Sequence, residues 1–191
     1  MFGLLKKKSS AFVIVNLNAK LQPKHRAELE DAFDSIAQRQ KIPVRVAGGG
    51  TEMEKNGEVS NCDIELEVDR LNDSVVGFIK SAFSAMLAPK GSYVLLPDAK
   101  KIPFGEHEGL GLYLNGTDLP SEVYQTCDSN FVYDECEKLI KGAGMINSDW
   151  RGATETALYM YGKSFEELKK RIMPFISEYP LCQKCRIVQI A

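Results

Sequence analysis

Residues 62–69, CDIELEVD, alternate without exception: Ile64, Leu66 and Val68 fall on one side, Asp63, Glu65, Glu67 and Asp69 on the other. No helix keeps these two sets apart, because a 3.6-residue period would spread the carboxylates around its whole surface. The segment demands a strand with one face in a core and one in water. Something else in the chain must cover its apolar face.

The flanking sequence supplies that cover. Ala11–Leu17 is rich in Val, Ile and Phe and reads as a buried strand. Pro23 suits a first helical turn, and Leu29, Phe33 and Ile36 share one face, so a helix runs from Pro23 to about Gln40. Pro43 stops it and Val44–Ala47 begins another strand. Asn56-Gly57 then reads as a type I′ hairpin turn. Val75, Ile79, Phe83 and Met86 mark a second helix, closed by Pro89 and Gly91, and SYVLL supplies a fourth strand.

Within this half, AGGGTEMEKNGEV poses a choice between a phosphate-holding loop and a bent strand. A phosphate loop needs G-x-x-x-x-G-K-[ST] opening a helix. Thr51-Glu52 follows Gly50 instead, acidic and heading for a hairpin, so the glycines read as a bulge or close backbone approach.

The polar connection PDAKKIPFGEHEG leads into a second series of the same kind. GLGLYLNG places Leu110, Leu112 and Leu114 on one side and Tyr113 on the other. Asp128 or Ser129 can cap a helix carrying Val132, Cys136, Leu139 and Ile140, which Gly142 closes. MINSDW and TETALYMY form two strands about the turn Trp150-Arg151-Gly152. Ser164 and Glu167 form a capping box ahead of a helix in which Pro174 should produce a kink. CRIVQIA is the last strand.

The predicted class is therefore α+β. Two tandem ferredoxin-like βαββαβ units, residues 1–98 and 99–191, each carry helices on one face of an antiparallel sheet. A single larger domain with one continuous sheet is the alternative.

Taken together, NLNAKLQP, GGGTEMEKNGEVSNCDIELEV, GLGLYLNGTDLPSEVY and the segment from ETALYMYG to the C-terminus are similar to a group of small bacterial cytosolic proteins of unassigned function. That resemblance spans most of the chain and implies no activity. In size and style the chain also resembles immunity proteins of bacterial contact-dependent toxin systems, a likeness of class without a diagnostic motif.

Composition narrows the functions. With 24 Lys+Arg against 26 Asp+Glu, the net charge of −2 gives no overall positive field for nucleic acid or anionic membranes. No stretch approaches about 18 consecutive apolar residues, and Lys6–Lys8 precede too short an apolar run for a secretory signal. Five cysteines at irregular spacing argue for free thiols in a reducing cytoplasm.

Chemistry-bearing constellations are sparse. Cys182-Gln183-Lys184-Cys185 is a C-x-x-C without a second ligand pair, and it leads into a strand rather than opening a helix, so neither a metal nor a redox site is expected. His25 lies in a first helical turn and His107 in a solvated loop. No Ser or Cys has a recognisable base and orienter, and no cofactor is implied.

Two surfaces attract attention instead. Glu65 and Glu67 project from the wet face of their strand. Tyr113, Tyr159 and Tyr161 share the helix-free face of the second sheet, where they either pack between the halves or present aromatic area to a partner. The function expected is non-enzymatic protein binding in the bacterial cytosol, concretely an immunity-type inhibitor of a basic toxin. The alternative is a tandem regulatory domain sensing a small molecule. Association of copies is left open.

Overall fold

The computed structural model of the protein describes residues 10–191, so the basic run Lys6–Lys8 lies outside the described residues. The architecture is α+β, with two antiparallel sheets and five helices among the described residues.

In the first half, β1 (Ala11–Leu17) is followed by α1 (Pro23–Arg39), β2 (Val44–Met53), β3 (Val59–Val68), α2 (Asp73–Ala85), β4 (Ser92–Leu95) and β5 (Lys101–Phe104), and the sheet order is β2-β3-β1-β4-β5. Register places Val13 opposite Leu66 and Val15 opposite Ile64. These four side chains are buried together with Phe33 and Ala37 of α1 and Val75, Ile79 and Phe83 of α2. Phe33 stacks on Phe83 with ring centroids 4.8 Å apart. The alternation of residues 62–69 thus does what its period requires: Ile64, Leu66 and Val68 face the helices, and Glu65 faces water. Asn72 caps α2, its side chain accepting from the Val75 amide.

The glycine triplet lies inside β2, which slips register between Val46 and Gly48. Gly49 has a packing reason. A Cβ there would stand 2.5 Å from Glu30 Oε1 and 2.7 Å from the Asp63 carbonyl oxygen, because the Arg26–Glu30 pair of α1 lies against the strand. The Asp34 carboxylate also accepts from the Val46 amide at 2.8 Å, occupying a donor on this edge strand. The following hairpin differs from the expected type I′ turn. Of Asn56 and Gly57 only Gly57 has positive φ, and the Gly57 amide donates to the Glu54 carbonyl while that of Glu54 donates to Glu58. This is a three-residue loop with a left-handed glycine, the other common way to close a hairpin.

The connection after β4 also departs from expectation. Lys101–Phe104 adds a fifth strand to the first sheet, pairing Tyr93 with Pro103 and Leu95 with Lys101. Proline in a strand is tolerated because β5 is an edge. His107, expected in a solvated loop, is half-buried and bridges to Pro89.

The second half runs β6 (Glu108–Asn115), α3 (Ser121–Thr126), α4 (Ser129–Ile140), β7 (Gly144–Arg151), β8 (Glu155–Gly162), α5 (Phe165–Glu178), a 3-10 turn at Pro180–Cys182, and β9 (Arg186–Gln189), with sheet order β7-β8-β6-β9. Leu110, Leu112 and Leu114 bury against Val132, Cys136 and Ile140 of α4 and Leu168, Ile172 and Ile176 of α5. Asp128 caps α4 by accepting from the Asn130 amide. Ser164 caps α5 by accepting from the Glu167 amide, but the Glu167 carboxylate turns to Arg171, so the box is half closed. Helix α5 continues four residues past Pro174. The turn between β7 and β8 begins two residues later than expected, at Gly152, which leaves Trp150 inside β7 and buried.

Candidate functional site

The helix-free face of the second sheet is turned against the first half. Tyr113, Trp150, Ala157, Tyr159 and Tyr161 belong to the same buried cluster as Val13, Leu17, Cys62 and Phe83. Glycines at alternate positions of β6 make room for this. A Cβ at Gly109 would stand 2.8 Å from the Tyr161 ring, and one at Gly111 would stand 2.8 Å from the Tyr113 ring. GLGLYLNG therefore specifies a strand with leucines for the helices and a trench for aromatic rings.

The five sequence candidates fall into two places. Glu65 and Glu67 lie on the helix-free face of the first sheet, Glu65 exposed and Glu67 paired with Arg45 across the strands. Tyr113, Tyr159 and Tyr161 are 4%, 0% and 1% exposed. Their rings are offered to the first half, so packing between the halves is the role that matches their burial.

Residues the sequence did not single out complete the seam. Glu58 reaches across from the β2–β3 hairpin, and its Oε1 accepts from the Tyr113 hydroxyl at 2.6 Å and the Tyr159 hydroxyl at 2.8 Å. The Lys20 ammonium stands 3.0 Å from the same oxygen and also donates to the Val59 carbonyl at 2.9 Å. Tyr161 joins differently, its hydroxyl oxygen accepting from the Lys20 amide at 2.8 Å. Arg186 lies 4.0 Å from the Tyr113 ring centroid and holds Glu155 by two hydrogen bonds of 2.7 and 2.8 Å. Burial pushes the Glu58 carboxyl up, but hydrogen bonds from Tyr113, Lys20 and Tyr159 outweigh it, and the net shift is downward. Burial, followed by the bond to Glu58, pushes the Tyr113 and Tyr159 phenols up. Near neutral pH the cluster is an ionised carboxylate held by neutral phenols and an ammonium. It is a fastening rather than an acid–base pair.

Beside it, β7 meets the start of α1. Ser148 Oγ accepts from the Gln22 amide at 3.2 Å and lies 2.9 Å from His25 Nδ1, while His25 Nε2 is 3.7 Å from Asp149 Oδ1. The trio resembles a hydrolytic triad in composition only. Ser148 is buried and already engaged, so it presents no nucleophile to a substrate. Burial, then Lys24, pushes the His25 pKa down, keeping the ring neutral near pH 7.

Two clefts flank this junction. One, about 490 Å³, is polar, with Lys24, Tyr133, Asn147, Asp149 and Arg151 on its walls. The other, about 420 Å³, is largely apolar, with Leu21, Leu29, Phe83, Met86 and Met145 around it. His25, Glu28, Ile146 and Asn147 border both. The C-x-x-C lies elsewhere, against the second core. Burial pushes the Cys182 thiol up to about 12, which suppresses the thiolate that redox chemistry or metal binding would require. Among the described residues no group of three His, Cys, Asp or Glu side chains is arranged to hold a metal ion, and no helix is long and apolar enough to cross a membrane.

No protein-family model and no curated protein matches the chain. Among solved structures, it is similar to the first two RRM domains of the yeast poly(U) binding protein Pub1, with 12% identity over 94% of this chain and 99% of that one, at a TM-score of 0.26. A putative monooxygenase from Fusobacterium nucleatum gives 10% identity over 96% and 92%, at a TM-score of 0.33. One from Lactobacillus acidophilus gives 13% over 96% and 95%, at 0.31. Superpositions this loose carry no functional argument.

Proposed function

We propose that this chain is a non-enzymatic protein-binding module of the bacterial cytosol, and that its docking surface is the helix-free face of the first sheet. One observation carries the reading: among the described residues, neither helices nor the second half cover that face. Phe12 is 49% exposed there, with Ile14, Tyr93 and Leu95 half-buried beside it. The acidic column Asp63, Glu65 and Glu67 runs next to this apolar row, since Phe12 pairs with Glu67, Ile14 with Glu65 and Asn16 with Asp63. Apolar area bordered by carboxylates suits a basic protein, and an immunity-type inhibitor of a basic toxin is the concrete case. No nucleic acid and no membrane enters this reading.

The test compares wild-type protein with the Glu65→Lys/Glu67→Lys double variant as immobilised bait. A basic protein retained at low salt by the wild type and lost by the folded variant is the expected result. Identical retention by both would exclude the acidic face.

The supporting fold assignment is two tandem ferredoxin-like units, read as 1–98 and 99–191, with Lys101–Phe104 pairing back onto the first sheet. Its support is that both halves run βαββαβ once the short α3 and the added β5 are set aside, and that in both sheets the fourth, first, third and second of those strands are successive neighbours.

A second reading, regulation by a small molecule bound between the units, is favoured by the two clefts at the seam. Their volumes fall within the range of small-ligand sites.

A further inference from the structure

β7 slips register between Ile146 and Ser148, with Asn147 as the extra residue, and the bulge changes which way the strand offers its side chains. Ile146 belongs to the core formed with α4 and α5, whereas Trp150 lies in the cluster at the seam. In a regular strand Ile146, Ser148 and Trp150 would share one face, because side chains alternate. The bulge therefore turns Ser148 away from its own core and toward the start of α1, where it meets Gln22 and His25.

The hydrogens at this contact have one arrangement. The Gln22 amide can only donate, so Ser148 Oγ accepts from it at 3.2 Å. Ser148 is 3% exposed, and its one other side-chain partner among the described residues is His25 Nδ1, at 2.9 Å. The hydroxyl proton must go to Nδ1, which makes that nitrogen the acceptor and leaves the ring's own proton on Nε2, facing Asp149. The two halves are thus joined by a chain of donors that requires a neutral imidazole.

A second proton on the ring turns Nδ1 into a donor. Two donors then converge on Ser148 Oγ, and the hydroxyl proton is left in a buried site without an acceptor, a costly state. The charges around the ring oppose one another. Lys24 and Glu28 face it from α1 and Asp149 from β7, while Arg151 of β7 and Tyr133 of α4 line the same polar cleft. The apolar cleft adds only the buried Tyr161 phenol. Burial, then Lys24, disfavours the cation more than Asp149 and Glu28 favour it.

We propose that His25 is a pH-sensitive latch between the two halves: its protonation in mild acid releases Ser148, turns the ring to Asp149 and unfastens the start of α1 from β7. Because His25 borders both clefts, opening the latch alters the wall they share.

The experiment uses the full chain, whose two histidines are followed by their ring resonances as pH is lowered. His25 should titrate below the ordinary 6.5. Exchange protection of the Gln22 amide, corrected for the intrinsic effect of pH, should fall about tenfold in step with it, the equivalent of one lost hydrogen bond. The unfolded chain takes up the proton first, so stability should decline as pH falls through 6.5 and level off once the folded ring is protonated. His25→Asn, whose side-chain carbonyl accepts from Ser148 at every pH, should keep Gln22 protected and lose less stability over the same range. Ser148→Ala removes the hydroxyl that favours the neutral ring, and the His25 midpoint should rise. A wild-type midpoint at or above 6.5, or one unmoved by Ser148→Ala, would overturn the proposal. So would Gln22 protection that stays level through the titration, or an equal stability loss in His25→Asn.

Discussion

Glu58→Ala tests how the two halves are held together. One oxygen of this side chain accepts from two phenols and faces an ammonium, at 2.6, 2.8 and 3.0 Å, in a position where the side chain is only 13% exposed. Lys20 keeps the Val59 carbonyl when Glu58 is removed, whereas the Tyr113 and Tyr159 hydroxyls lose the charged acceptor they share and are left with each other. The expected loss is therefore that of breaking a buried charged contact from one side, about 3–5 kcal/mol, rather than the sum of three separate bonds. Glu58→Gln retains an acceptor without the charge and should lose about half as much.

Guanidinium unfolding of the full chain at neutral pH reads both values, with an unchanged slope and a lowered midpoint. A pH series adds an independent check. The folded pKa of Glu58 is below its ordinary 4.5, so its contribution is fully present above that value and disappears as pH falls through the lowered one. The gap between wild type and Glu58→Gln should accordingly narrow only in acid. A loss under about 1 kcal/mol for Glu58→Ala, the size of a surface ion pair, would refute the reasoning, as would a pH-independent gap.

Tyr159→Ala should destabilise the isolated chain by about 3–5 kcal/mol, as for other buried aromatic truncations, and thermal or denaturant unfolding measures it. Gly49→Val should cost about 1–3 kcal/mol, because its first side-chain atom already meets the Glu30 carboxylate and the Asp63 carbonyl, while Gly50→Val, with open space above it, should be mild by comparison.

Much of the fold was legible because the periods are clean. Residues 62–69, the leucines of β6 and the apolar faces of α1, α2, α4 and α5 all lie where alternation or helical spacing puts them. β5 was not legible, since four residues with a lysine and a proline carry no strand signal until the neighbouring β4 supplies hydrogen bonds. α3 is too short to show a period. The site was half visible: alternation placed the three tyrosines together, but nothing local reports that Glu58 and Lys20, on a hairpin and a loop of the other half, would meet them. An acidic residue beside Asn-Gly looks like any solvated turn. The bulge at Asn147 was hidden for the same reason, because a one-residue slip appears only once the partner strand is present.

The seam also bears on how the protein is made. Leu17, Leu21 and Cys62 lie in the first core, and in the finished molecule Tyr159 and Tyr161 join them in the same buried cluster. On the ribosome those aromatic residues emerge about 100 residues after β3 and about 140 after β1, so the leading half spends seconds with an apolar end uncapped. The interval is the time at which a chaperone or a second nascent chain has most access to it. A chain stalled before residue 155 would be held in that unroofed state.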